Sequence, residues 1–170
     1  MSDINNLIVA IDAGNEYSGY VVAEHNGNEI VRVIEKGKIL NNDIFIVLDK
    51  YEKYHLAIEM IASQGMAVGK TVFETCVWNG RFYQHACDGG HIENFAWIYR
   101  KDEKINICGT MKAKDSNIIQ ALIDRYAPNT QNRGKGTKNN QGFFYGFKAD
   151  MWQAFAVAVT YLDLVIKKAV

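Results

Sequence analysis

The hydrophobic pattern divides the chain into short buried strands and amphipathic helices. Leu7-Ile8-Val9-Ala10-Ile11 is a continuous apolar run, too short for a helix, ending at Asp12-Ala13-Gly14-Asn15. It predicts a central strand followed by a turn. Tyr17 to Ala23 and Ile30 to Ile34 are β-prone runs on either side of Asn26-Gly27, a strong hairpin signal. Residues 42–51 read as a short amphipathic helix, and Leu56 to Met60 as a second buried strand carrying Glu59. Gly65 and Gly69 bracket a loop leading to a helix from about Lys70 to Tyr83, and Ile105 to Gly109 reads as another buried strand. Asp115-Ser116-Asn117 caps a helix that Pro128 closes. Residues 129–142 are polar, Gly-rich and basic, which predicts a mobile loop. A final helix spans about Lys148 to Lys168. The order β-β-β-α-β-α-β-α-α predicts a three-layer α/β domain on a mixed five-stranded sheet, with residues 1–170 forming one domain.

Composition narrows the class. Hydrophobic residues at 48% and charged residues at 22% are ordinary for a soluble globular protein. No apolar run approaches the ~18 residues of a membrane span, and MSDINN lacks the basic start of a secretory signal. Cys76, Cys87 and Cys108 form no close pair, which argues against a disulfide framework or structural zinc and points to the cytoplasm. The 19 basic and 19 acidic side chains cancel, so any nucleic-acid surface must come from local clustering. Lys101, Lys104, Lys112 and Lys114 form one basic group, and Arg133, Lys135, Lys138 and Lys148 another. They are expected to line one face of the domain, the face that carries the buried acids Asp12 and Glu59.

Three acids stand where acids are expensive. Asp12 ends an apolar strand, Glu59 lies inside LAIEMI, and Asp150 opens a helix that is otherwise nearly all apolar. Such carboxylates must find a cation or hydrogen-bond donors, or their pKa rises. Singly, each reads equally well as a cap or a buried hydrogen-bonded acid. Together they favour one shared charge, and Mg²⁺ takes oxygen ligands of this kind. Two such ions about 4 Å apart can drive phosphodiester hydrolysis.

IVAIDAGNEYSGYVV, LAIEMI, GTMKAKDSNIIQALIDRY and KADMWQAFAVAVTY, in this order and spacing, resemble RuvC-type Holliday-junction resolvases of the ribonuclease H-like superfamily. The similarity is closest to those of phages, and it spans nearly the whole chain. It implies a ribonuclease H-like fold, a homodimer, and paired nicking of four-way DNA junctions with Mg²⁺ or Mn²⁺, two ions per site. A phage or prophage gene expressed in a bacterial cytoplasm is the corresponding source. Asp12, Glu59 and Asp150 then become metal ligands. Many members carry a further acid one turn after the last of these, where this chain has Gln153; Asp115 is the candidate substitute, though it also reads as a helix N-cap. Lys114 is the candidate catalytic lysine, with Lys104 (on the fifth strand) and Lys112 as accessory cations. Arg81, Arg133, Lys135 and Lys138 are candidate DNA contacts, although Arg81 reads more readily as a surface arginine near a helix C-terminus.

The helix from residue 70 carries Val72, Phe73, Cys76, Val77 and Gly80 as a stripe, which reads as core packing. The resemblance adds that this helix builds the dimer interface. It also implies an aromatic three residues after Glu59, where Ala62 stands, leaving Met66 or Phe73 to stack at an opened junction. His25, His55, His85 and His91 lack metal-ligand spacing and read as surface or loop residues; Cys108 reads as strand core. Competing readings are an actin- or sugar-kinase-like ATPase, excluded by the lack of a duplicated domain, a junction-binding protein with an impaired site, and a nuclease acting on forks, flaps or RNA-containing structures.

Overall fold

A computed structural model describes residues 6–63, 65 and 67–169. Strand β1 (Leu7–Asp12) lies at the centre of a five-stranded sheet of order β3-β2-β1-β4-β5, with β2 (Tyr17–His25), β3 (Ile30–Leu40), β4 (Tyr54–Met60) and β5 (Ile92–Tyr99). The pairs β1–β2 and β2–β3 are antiparallel, whereas β1–β4 and β4–β5 are parallel. The Asn26-Gly27 hairpin forms as expected: Gly27 takes φ 89°, and Asn26 Oδ1 accepts from the Asn28 and Glu29 N–H groups.

Alternation along the strands gives the sheet two packed faces. Val9, Ile11, Leu56 and Ile58 meet α1 (Asn41–Lys50) and α2 (Lys70–Asp88). Ile8, Ala10, Val21 and Ala57 meet α5 (Met151–Tyr161), whose residues are all buried except Gln153. A helix apolar all round belongs inside a fold, and this one runs on as a π-helical stretch, Leu162–Ile166, and a 3₁₀ turn, Lys167–Ala169. Helices α3 (Arg100–Cys108) and α4 (Asp115–Tyr126) pack against each other and against α5.

Several expectations are corrected. Ile105–Gly109 is not a strand: residues 105–108 end α3, with Gly109 in the left-handed conformation at its C-cap, and the fifth strand is Ile92–Tyr99. A short apolar run such as INIC fits either period, and here the preceding polar RKDEK completes a helix. Lys104 and Cys108 therefore lie on α3, and Cys108 is half-buried against the α5 core. Residues 129–142 form a compact turn instead of a loose loop. Gly136 pairs with Gln141, and N–H groups of Gly134, Gly142 and Phe144 donate to Thr130, Lys135 and Gly134 carbonyls. Asn129, Asn132, Arg133, Gly134 and Gly136 take the positive φ values this tight path requires.

The stripe on α2 is not core. Val72 is half-buried, whereas Phe73, Cys76, Val77 and Gly80 are exposed, and Thr75, Asn79, Phe82 and Ala86 face the sheet instead. Two histidines are also more buried than expected. His25 is buried on β2, and His55 on β4 lies 3.0 Å from the Tyr161 hydroxyl. Half-buried His91 stacks on Tyr54, and His85 pairs with Asp49.

Candidate active site

The acids gather on the α5 face, at the C-terminal ends of β1 and β4. Asp12 shares its face with Ile8 and Ala10, and Glu59 shares its face with Ala57. The parallel β1–β4 register pairs Ile11 with Ile58, which sets the two acids side by side, and their carboxyl groups hydrogen-bond to each other. The turn after Asp12 is braced from beneath. Buried Ser18 donates from Oγ to Asn41 Oδ1 at 2.6 Å, Asn41 donates to the Gly14 carbonyl at 2.9 Å, and the Gly14 N–H donates to Ser18 Oγ at 3.3 Å. Buried Asn79 of α2 donates to the Glu59 carbonyl at 3.1 Å and fixes the end of β4.

Asp150 arrives from the N-terminal end of α5. Gly19 is the seat for it: a Cβ at Gly19 would lie 2.6 Å from the Asp150 carbonyl oxygen and 2.7 Å from its Cβ. No other residue type leaves this space. Ala149, directly before Asp150, holds φ 46°, a conformation an L-residue adopts only when its surroundings impose it.

Two cations intervene. Lys38 Nζ lies 2.7 Å from Asp150 Oδ2. Arg100, at the start of α3, pairs with both Glu103 and Asp115. The Lys38–Asp150 pair is part-exposed and contributes about 0–1 kcal/mol to stability. Sequence reasoning missed Glu103, Lys38 and Arg100. Glu103 is fully buried, its Oε1 has no hydrogen-bond partner, and burial with the nearby Glu59 charge pushes its pKa up to about 8. Nothing in RKDEK distinguishes this acid from a solvated one. Burial, then Glu59, Asp150 and Glu103, push Asp12 up to about 9, and burial also raises Glu59.

The donor set fits a hard divalent cation: carboxylates alone, crowded together, with Asp12, Glu59 and Glu103 pushed up chiefly by burial, and with one buried Glu103 oxygen unpartnered. Among the described residues no three of them converge into a ready-made cage, since Lys38 holds Asp150 while Arg100 holds Glu103 and Asp115.

The other candidates are placed variously. Gln153 is half-buried one turn after Asp150. Asp115 is the first residue of α4 and exposed. It is not the N-cap, which is Lys114, whose own N–H donates to Asn117 Oδ1. Lys112 and Lys114 are exposed and Lys104 half-buried; among the described residues none of the three pairs with an acid. Arg81 lies mid-helix on α2 rather than near its end, stacked 4.0 Å from the Trp78 ring centre, and α2 covers the opposite face of the sheet from the acids. Arg133 and Lys138 are exposed and Lys135 half-buried on the compact turn, whose Gly134 lies against Phe144 on the α5 side. Met66 lies outside the described residues, and Phe73 is exposed on α2.

Two cavities flank the acids. One of about 560 Å³ is lined by Glu59, Ile61, Ser63, Arg100, Lys101 and Met111. The other, of about 650 Å³, is lined by Tyr17, Lys36, Lys38, Lys148 and Ala149. Of the eight basic residues expected on this face, Lys101 lines one cavity and Lys148 the other, whereas Lys104, Lys112, Lys114, Arg133, Lys135 and Lys138 line neither.

This mixed sheet, with its antiparallel β1–β3 and parallel β1, β4 and β5, is a ribonuclease H-like fold. Among solved structures the chain is similar to the Thermus thermophilus RuvC structure, at 12% identity and a TM-score of 0.64, covering 91% of this chain and 92% of that one. It is similar also to T. thermophilus RuvC in complex with Holliday junction substrate, at 11% identity and a TM-score of 0.64, covering 96% of each. No family model and no curated protein sequence matches the chain. At these identities the likeness is one of fold, a RuvC-like fold over almost the full length. No helix among the described residues is long and apolar enough to cross a membrane.

Proposed function

We propose that the protein is a divalent-metal-dependent endonuclease acting on branched DNA, with four-way junctions as its principal substrate. The observation that carries this is the Asp12–Glu59 pair, two carboxylates forced together on adjacent central strands with Asp150 brought over Gly19 beside them. A fold does not fix a function, so the reading rests on this site, with the RuvC-like fold as context. Asp12, Glu59 and Asp150 would hold Mg²⁺ or Mn²⁺, and Glu103 adds a buried carboxyl group, paired with Arg100, next to them. The bound cation would activate water and stabilise the departing oxygen of a phosphodiester. Asn79 and the Ser18–Asn41 network position the acids. Lys101 and Lys148, in the flanking cavities, offer phosphate contacts on either side, and Lys114, beside Asp115, is the candidate to neutralise the scissile phosphate.

The substrate is tested by cutting labelled four-way junction, fork, flap and linear duplex in Mg²⁺. Paired nicks in the junction and little cutting of duplex are expected. Preference for forks or flaps would keep the nuclease and change its target, and junction binding without cutting would mark an impaired site.

A homodimer follows from the same reading, because a four-way junction has near two-fold symmetry and paired cuts need two related sites. The exposed face of α2 supplies the surface: Phe73 and Val77 are 61% and 62% exposed, and Gly80 leaves open space beside them. The double variant Phe73→Glu with Val77→Glu is expected to sediment as a ~19 kDa monomer at micromolar concentration with its far-UV circular dichroism unchanged. A wild-type monomer that still makes paired nicks would contradict this.

A further inference from the structure

We propose that Lys38 supplies the second positive charge of the acidic site, so that each protomer takes up one divalent cation rather than two. The inference rests on the nuclease reading above and concerns how that site is completed.

The sheet register makes the arrangement possible. Asp12 pairs with Gly19 across β1–β2, and Gly19 pairs with Lys38 across β2–β3, so the three positions form one rung pointing to the α5 face. Gly19 puts no side chain between the outer two. Asp150 occupies the space above it, and Lys38 reaches across to place its ammonium 2.7 Å from Asp150 Oδ2. The rung thus runs from carboxylate to carboxylate to ammonium, on three strands and one helix end.

Charge decides how many ions such a site accepts. Two dications about 4 Å apart need enough ligand charge to offset their repulsion. Asp12, Glu59 and Asp150 carry three negative charges when ionised. The position one turn after Asp150 is Gln153, which is neutral, while Glu103 and Asp115 are both held by Arg100. One dication together with the Lys38 ammonium neutralises the three acids. A second dication would have to expel Lys38 from Asp150. The ammonium is also well placed for the task a second ion would perform, since it lines the 650 Å³ cavity with Lys36 and Lys148 and can donate to a phosphate oxygen entering beside Asp150.

The test counts bound Mn²⁺ by electron paramagnetic resonance in the full-length protein without DNA, beside junction cutting and junction affinity. Wild type is expected to bind one Mn²⁺ per protomer, and the double variant Lys38→Met with Gln153→Glu to bind two. Lys38→Met alone should fold normally by circular dichroism and cut junction about 100-fold more slowly, a loss far larger than its loss of junction affinity and on the scale of a preorganised electrostatic donor. Lys38→Arg, which keeps the charge, should recover part of that loss. Two Mn²⁺ bound by wild type, or unimpaired cutting by Lys38→Met, would overturn the assignment. Binding of no Mn²⁺, with no cutting, would instead overturn the nuclease reading and the Lys38 assignment with it.

Discussion

Asp12→Asn and Glu59→Gln are each expected to lower junction cutting by about 10³-fold or more while junction binding stays within a few-fold of wild type. Each change keeps the shape of the side chain and removes a charge that the cation needs. Affinity for a polyanion comes mainly from phosphate contacts made elsewhere on the surface. The same substitutions should make the metal-free protein more resistant to heat. The two carboxyl groups are crowded and partly desolvated, and an amide at either position keeps the hydrogen bond between them while ending the repulsion on ionisation. Loss of activity together with gain of stability distinguishes acids held for chemistry from acids held for structure. Cutting at a near-normal rate by Glu59→Gln contradicts the assignment.

Cation binding is expected to release protons and to strengthen steeply with pH. In the metal-free protein burial pushes Asp12 up to about 9 and Glu103 up to about 8, so the folded state holds protons that the unfolded chain has already lost above about pH 4. Stability should therefore fall as pH rises from about 4 toward 9. A divalent cation binds the ionised carboxylates, displaces these protons and flattens that decline. Asp163 acts in the opposite sense. Although burial raises it, hydrogen bonds from Arg125, Lys167 and Asn106 hold it down at about 2, so its contribution is present at neutral pH and lost as pH falls from about 4 toward 2. Calorimetric titration of Mg²⁺ at pH 7, in two buffers of different ionisation enthalpy, should show release of about one to two protons per site, two if the cation ionises both Asp12 and Glu103. Equal heats in both buffers would mean that the acids are already ionised.

Much of the scaffold is legible in the sequence because local pattern and tertiary role agree there. The apolar run ending at Asp12, the Asn26-Gly27 hairpin, the helix after Leu40, the strand carrying Glu59 and the helix closing before Pro128 all form within a few residues of expectation. Where they disagree, the reading fails. Strand β5 has Glu93 and Asn94 exposed directly after its first residue and only Ile98 buried, so it lacks the apolar density that marks β1 and β4. The stripe on α2 shows a helix with an apolar side, yet periodicity cannot say which neighbour that side meets. Its sheet-facing residues include Thr75 and Asn79, a less apolar set than the exposed one. The glycines and asparagines of residues 129–142 are as suited to a tight left-handed path as to a loose one.

Of the candidate site, the three acids of the proposal stand out in the sequence and their surroundings do not. Asp12, Glu59 and Asp150 betray themselves by apolar neighbours in the chain. Glu103 sits among Arg100, Lys101, Asp102 and Lys104, and only the packing of α3 buries it. Lys38 occupies an alternating, half-polar strand and looks like a solvated edge lysine until the register sets it across Gly19 from Asp12. Long-range placement is what local composition leaves out.

The central claim is that a divalent cation binds between these acids. Crystals soaked in Mn²⁺ near pH 8, with diffraction recorded at a wavelength where manganese scatters anomalously, test it most directly. The account predicts an anomalous peak within coordination distance of the Asp12 and Glu59 carboxylates, with Asp150 turned toward it, and none in crystals of Asp12→Asn. A peak only elsewhere on the protein, or no peak while Asp12 and Glu59 remain hydrogen-bonded to each other, would contradict it.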